Sequence, residues 1–195
     1  MCHDLLRDAS FHRHLLELDR RSAARSRQAG CLLCGGPLHT ANYQRKARGG
    51  LELADRDAEL RFSFCCGRDG CRRRTTPPSV RFLGRRVHVA VLVTLASVLT
   101  QGLTGRRLSL LRRELGLCRR TLERWLRWWR ESVPRTGWWK QMRARLAQPV
   151  DVAALPAALF DRFGGEERER AETLLVELAP LSVTAQMAAR LRMVG

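Results

Sequence analysis

The sequence predicts a mainly α-helical protein with one small β element, and three observations support that fold class. Two close pairs of cysteines flank a stretch of short alternating segments and glycine turns. An apolar run of 13 residues occupies 87–99. Leucines and tryptophans recur with helical spacing after that run. We therefore expect an N-terminal helix over 1–27, a cysteine-bearing β element with a basic linker over 28–86, a helix-turn-helix domain over 87–146 and a helical C-terminal segment over 150–195.

The N-terminal segment, MCHDLLRDASFHRHLLELDRR, carries charged residues within each of its apolar runs. This pattern is unlike a secretory signal. The longest apolar run of the chain, 87–99, is shorter than the roughly 20 residues that span a bilayer. We expect a soluble, cytoplasmic protein without a membrane partner, whose cysteines are reduced or bound to metal rather than paired in disulfides.

Four of the seven cysteines have the spacing of metal ligands. Cys31 and Cys34 lie in CLLCGG, and Cys66 and Cys71 lie in CGRDGC, where glycines permit tight turns. Four thiolates around Zn²⁺ are a common structural metal site. The sequence predicts a four-cysteine zinc ribbon with Zn²⁺ as its cofactor, in which the metal compensates for a core too small to be stable alone.

The second pair of ligands could include Cys65 in place of Cys66. In RFSFCC, strand alternation puts Phe62, Phe64 and Cys66 on one face and Cys65 on the other, which favours Cys66. His39 follows Cys34 by five residues and is the other candidate replacement, although we expect it to lie outside the site. A redox-active C-x-x-C pair and unliganded cysteines remain as alternatives.

The linker after the second cysteine pair is strongly basic. Arg72, Arg73 and Arg74 precede a double proline that favours an extended chain. Three adjacent guanidinium groups are costly to bury without partners. They either form a solvated edge or follow a phosphate backbone beside the ribbon.

The segment from 87 to 133 has the pattern of three helices. The first is apolar on nearly every side and is expected to be buried. The second, over 106–115, ends at Gly116. In the third, Leu122, Trp125, Leu126 and Trp129 share one face, and the basic residues lie opposite.

The second and third helices match the apolar and glycine spacing of a helix-turn-helix. The third helix would then present arginines to the major groove of duplex DNA, where they bind guanine edges or phosphates. The alternative is an ordinary helical hairpin with a solvated basic face. Together with the linker, the predicted DNA-binding residues are Arg72, Arg73, Arg74, Arg106, Arg107, Arg119, Arg120, Thr121, Arg124 and Arg127.

The C-terminal segment differs from the rest of the chain in charge. Residues 103–146 hold 13 basic and 3 acidic side chains, whereas 151–195 hold 5 basic and 7 acidic ones. Its apolar residues recur with helical spacing, which indicates helices. Acidic residues favour a helix N-terminus, and three of them occur together here: Glu166, Glu167 and Glu169. Such a segment caps the core, forms a homodimer or binds a separate protein, and the sequence does not distinguish these roles.

The whole chain has a net charge of +17. A surplus of this size attracts polyanions, and double-stranded DNA is the partner that we expect. Nearly all of the basic residues are arginine, Lys46 and Lys140 being the two lysines. This bias favours phosphate and guanine recognition, or else reflects a GC-rich genome.

The cysteine pairs, the segment FSFCCGRDGCRRRTTPPSVRFLGRR and the helix RRTLERWLRWW resemble zinc-ribbon plus helix-turn-helix proteins of bacterial mobile elements. The likeness covers about residues 28–145. It implies DNA binding at element ends or at a promoter, and a separate transposase as a partner of the C-terminal helices. The ribonuclease-H-like catalytic domain of such transposases has no counterpart in the sequence, so the resemblance implies a transposition accessory, a targeting factor or a regulator.

The common catalytic motifs are also missing from the sequence. It contains no phosphate-binding G-x-x-x-x-G-K-[ST], no H-E-x-x-H and no G-x-S-x-G. We therefore expect a protein without enzymatic activity. An RNA-binding zinc protein and a protein-interaction scaffold are the alternatives to a DNA-binding protein.

Overall fold

The computed structural model describes residues 2–45, 54–84, 88–100 and 104–183. They form two compact units. The helical unit comprises 1–7 and 91–175, and the sheet unit comprises 8–90 and 176–195. The helices are α1 (Cys2–Leu5), α2 (Ala9–Ala29), α3 (Ala90–Leu99), α4 (Gly105–Leu115), α5 (Arg119–Arg127), α6 (Gly137–Arg145), α7 (Ala157–Phe160) and α8 (Glu167–Leu178). The strands are β1 (Leu38–Thr40), β2 (Tyr43–Gln44), β3 (Leu60–Arg61), β4 (Phe64–Cys66) and β5 (Arg74–Thr75).

The predicted mainly helical composition with a small β element is confirmed. Among the described residues, no helix is both long and apolar enough to cross a lipid bilayer. Several predicted features lie wholly or partly outside the described residues: the start of the helix over 87–99, the end of the basic linker at 85–86, the break at 101–103 and the chain beyond 183.

The sheet unit contains two antiparallel sheets of very short strands. One sheet has the order β1-β4-β5, and the other pairs β2 with β3. In β4, Phe64 and Cys66 are buried and Cys65 is half-buried, as the alternation predicts. The inward side chains join Leu16 and Ala23 of α2 in one small apolar cluster. The sheets are therefore attached to a helix by few apolar contacts.

A buried polar network strengthens this unit. Asp19 of α2 is 2% exposed and accepts hydrogen bonds from the Ser79 hydroxyl at 2.6 Å and from Arg81 Nε at 2.8 Å. Arg81 also donates to the carbonyls of Asp57, Ala58 and Leu60. The C-terminal part of the predicted basic linker thus contains a buried arginine that holds three chain segments together, rather than an exposed one.

The helical unit has an almost wholly apolar core. Residues 91–97 of α3 are all buried, which confirms the prediction that this helix is internal. Within this run, Ser97 satisfies its hydroxyl by donating to the carbonyl of Val93 at 2.6 Å. The largest fully buried side chain of the described residues is Trp129.

Helices α4 and α5 are joined by a three-residue turn. Gly116 adopts φ +61, a left-handed conformation that favours glycine, and its N–H bonds to the carbonyl of Arg112 at 3.0 Å. Leu117 is buried and Cys118 is the N-cap of α5. The predicted helix end at Gly116 is confirmed.

After Arg127 the helix widens into a π-helical turn, Trp128–Ser132, and then a 3₁₀ turn, Val133–Arg135. Pro134 cannot continue an α-helix, because it lacks an N–H and its ring clashes with the carbonyl four residues earlier. Thr136 then caps α6, since its hydroxyl accepts from the N–H of Trp139 at 3.1 Å. Trp138 and Trp139 therefore lie in a separate helix, α6, and not in an extension of α5.

Candidate functional site

Four cysteine thiols come together in the sheet unit. The sulfur atoms of Cys31, Cys34, Cys66 and Cys71 all lie within 4.8 Å of one another. The Cys31–Cys71 and Cys34–Cys66 sulfur distances are 3.7 and 3.5 Å. Tetrahedral ligands at about 2.3 Å from a metal are separated by about 3.8 Å. The cluster could therefore hold a metal ion, and these are the four cysteines that the spacing predicts.

Glycines shape the loops around the cluster. Gly35 and Gly70 have φ +67 and +80, and each lies beside a cluster cysteine in sequence. A Cβ on Gly36 would lie 3.2 Å from the Cys66 sulfur and 3.3 Å from the Cys34 sulfur. The left-handed backbone explains Gly35 and Gly70, and the close approach to two sulfurs favours glycine at 36.

Backbone N–H groups point at three of the sulfurs. The N–H of Gly36 is the main reason that the pKa of Cys34 falls to about 7. The N–H of Arg68, 3.4 Å from the Cys66 sulfur, also lowers the pKa of Cys66, but burial and the neighbouring thiols outweigh it and raise that pKa to about 12. Four sulfurs at this distance cannot all ionise without a cation, so a bound metal would displace the remaining protons.

Cys65 and His39 lie outside the cluster. The Cys65 thiol is directed at the carbonyl of Arg72, at 3.3 Å. His39 is exposed, and a Cβ on Gly67 would clash with its Nε2, so the imidazole ring packs against a glycine backbone. The alternation of RFSFCC correctly distinguishes Cys66 from Cys65.

A basic face runs along α5 in the helical unit. Leu122, Trp125 and Leu126 are buried on one side of this helix. Three arginines, Arg120, Arg124 and Arg127, are exposed on the other side. None of these three forms an ion pair or side-chain hydrogen bond within the described part of the chain.

The other predicted DNA-binding residues have varied surroundings. Arg119 is exposed but pairs with Glu123 at 2.6 Å, and Thr121 lies 3.3 Å from the Cys118 sulfur. Arg106 is exposed, and the side chain of Arg107 lies outside the described residues. Arg72, Arg73 and Arg74 are exposed but belong to the sheet unit, not to the helical unit.

Sequence reasoning missed the partners of Arg74. Its guanidinium carbon lies 5.6 Å from the centroid of the Tyr43 ring, and its NH1 lies 3.5 Å from the Ser63 hydroxyl. The alternation of β5 could have indicated that Arg74 is exposed. The contact with Tyr43 depends on how the two small sheets approach each other, which no local pattern encodes.

Comparison with known proteins gives no assignment: no protein-family model, no curated protein and no solved structure matches the chain. The geometry of the cysteine cluster and of the basic helix is therefore the basis for a functional conclusion.

Proposed function

We propose that this chain is a non-catalytic protein that binds double-stranded DNA through α5 and carries a structural Zn²⁺ ion in a ribbon formed by the sheet unit. The observation that supports it most strongly is the exposed face of Arg120, Arg124 and Arg127 on a helix whose opposite face is buried. Cations without protein counter-ions are available to phosphates and guanine edges.

The connection between α4 and α5 supports a helix-turn-helix. The turn spans residues 116–118, begins with a left-handed glycine and contains the buried Leu117. A turn of three or four residues that often contains glycine is typical of this motif. In such a motif, the first turn of the second helix contacts base edges and its outer face contacts phosphates.

Zn²⁺ is the metal that best suits four cysteine ligands. Thiolate donors in a closed four-ligand set favour a structural zinc over Mg²⁺ or Ca²⁺, which prefer oxygen. A bound Zn²⁺ supplies cross-linking between the two cysteine loops and leaves no open position for a reactant. The chain itself supplies the backbone N–H groups and the glycines that position the four cysteine sulfurs.

The role in a mobile element rests on the sequence resemblance alone. Under that proposal, the chain is a transposition accessory, a targeting factor or a regulator, and a separate protein supplies any strand chemistry. The C-terminal helices would then bind that protein or a second copy of the chain.

The test first selects the sequences that the zinc-loaded protein prefers from a pool of random DNA duplexes. It then measures the affinity for a selected duplex at increasing salt concentrations. We expect a steep fall with salt and a distinct preferred sequence. Arg120→Ala and Arg124→Ala should each reduce that preference and weaken binding, by about tenfold for a lost guanine contact. Arg25→Ala on α2 removes an exposed arginine from the sheet unit and serves as the control with the same charge change.

Three outcomes would contradict the proposal. Binding that ignores DNA sequence and is unaffected by both substitutions would exclude recognition by α5. Structured RNA that competes better than any duplex would favour the RNA-binding alternative. A stoichiometric protein partner with no nucleic-acid affinity would favour the scaffold.

A further inference from the structure

The three-stranded sheet has an outer row that the metal cluster does not use. Cys65 of β4 pairs in register with His39 of β1 on one side and with Arg74 of β5 on the other. The neighbouring residues of β4, Phe64 and Cys66, are buried. The outer row is accessible: His39 and Arg74 are exposed, and Cys65 is half-buried.

Tyr43, in β2 of the other sheet, places an aromatic ring beside Arg74 of this row. It is the chain's single tyrosine and is 37% exposed, one of the few large apolar side chains left in solvent. Arg74 lies at 5.6 Å from its ring centroid, within the range of a cation–π contact. We call His39, Tyr43, Cys65 and Arg74 the outer face.

The charge around the outer face is positive. Arg73 and Arg74 are both exposed, and neither forms an ion pair within the described part of the chain. The nearest carboxylate in the chain sequence, Asp69, pairs with Arg72 at 2.7 Å. Aromatic and cationic groups therefore lie together on the exposed side of these strands.

We propose that the outer face is a second nucleic-acid site, which binds single strands by stacking an unpaired base on Tyr43 and holding the neighbouring phosphates with Arg73 and Arg74. A flat strand surface with an aromatic ring and cations suits an unstacked base. Bases inside a duplex present only their edges, so they cannot stack on Tyr43. This site does not depend on duplex recognition by α5, because its residues belong to the sheet unit.

The first test measures the affinity of the zinc-loaded protein for fluorescent oligo(dT) and oligo(U). Both should bind, since stacking and phosphate contacts do not require the 2′-hydroxyl. Tyr43→Leu should weaken binding of both by about tenfold, whereas Tyr43→Phe keeps the ring and should stay close to wild type. Neither variant should change duplex affinity, and equal zinc content serves as the check on folding.

Two cysteines outside the cluster allow the sites to be followed separately. Cys65 lies in the outer face, and Cys118 is exposed at the start of α5. Labelling by N-ethylmaleimide, mapped by mass spectrometry, should be slowed at Cys65 by oligo(dT). Duplex DNA should slow the labelling of Cys118.

The proposal is overturned if oligo(dT) does not protect Cys65, or if Tyr43→Leu binds both oligonucleotides as tightly as Tyr43→Phe. A different result would refute only the function proposed for α5: duplex DNA fails to slow the labelling of Cys118, while oligo(dT) still slows the labelling of Cys65. The failures of the two proposals are thus distinguishable.

Discussion

The sheet unit and the helical unit are stabilised by different interactions. Among the described residues, three charged side chains are buried, and all three belong to the sheet unit: Asp19, Arg61 and Arg81. The buried polar residues of the helical unit are the hydroxyl-bearing Thr94, Ser97 and Thr100 of α3 and its end. Both units bury leucines, but the sheet unit adds a polar network, two- and three-residue strands and a thiol cluster, whereas the helical unit adds buried tryptophans.

This difference indicates which unit would depend on a bound metal under the proposed function. The short strands around the four cysteines share only a small apolar cluster with α2, and cores of that size often require a metal or disulfides. A tryptophan-rich helical core supplies its own hydrophobic stabilisation. We therefore expect the sheet unit to depend on Zn²⁺ and the helical unit to fold without it.

Metal removal should produce the largest effect. Chelation by EDTA should accelerate amide exchange in β1 and β4, because a structural zinc site contributes on the order of 10 kcal/mol. All five tryptophans lie between 125 and 139, within the helical unit, so their fluorescence should remain unchanged. A change in tryptophan fluorescence that accompanies the loss of amide protection in β1 and β4 would contradict the independent stability of the two units.

Asp19→Ala should destabilise the sheet unit by about 3–5 kcal/mol, because it leaves the buried Arg81 without its carboxylate. Amide hydrogen exchange in β4, measured at increasing temperature, would quantify this loss of stability. Arg20→Ala is the matched control, since Arg20 is one-third exposed in its pairs with Asp55 and Asp57 and should have a smaller effect. Equal losses in the two variants would mean that burial of the Asp19–Arg81 pair is unimportant.

Trp129→Ala should destabilise the helical unit by about 3–5 kcal/mol, since a fully buried large side chain is replaced by a cavity. Denaturant unfolding followed by the remaining tryptophans would measure it. Zinc content should be retained. If this variant loses its zinc, the core of the helical unit also determines the metal site, against our comparison.

Gly116→Ala should have the smallest effect, about 1 kcal/mol, because φ +61 disfavours a Cβ although no atom of the described residues lies within 4 Å of that position. Gly137→Ala is the control, since that glycine also has open space but not a left-handed backbone. Denaturant unfolding compares the two. A loss in Gly137→Ala equal to that in Gly116→Ala would show that the left-handed turn is not the cause.

The sequence predicts local features well in both units. The cysteine spacing and strand alternation identify all four cluster residues, and the 3.6-residue period identifies the buried face of α5. These features depend on neighbours within a few residues. The apolar run at 87–99 likewise predicts the buried helix α3.

The features that the sequence does not predict depend on contacts between distant segments. Arg81 looks like one more arginine of a basic linker, yet its guanidinium is buried because Asp19, 62 residues earlier, accepts from it. The contact of Arg74 with Tyr43 depends on the approach of the two sheets. The π-helical turn after Arg127 has only Pro134 as its local signal.

The most direct test of the central claim is the zinc content of the purified protein, compared between two single-atom changes at adjacent positions. We expect one zinc ion per chain in the wild type and in Cys65→Ser, and reduced zinc with faster thiol labelling of Cys31, Cys34 and Cys71 in Cys66→Ser. Absence of zinc in the wild type, or equal retention of zinc in both variants, would contradict a metal centre formed by these four cysteines.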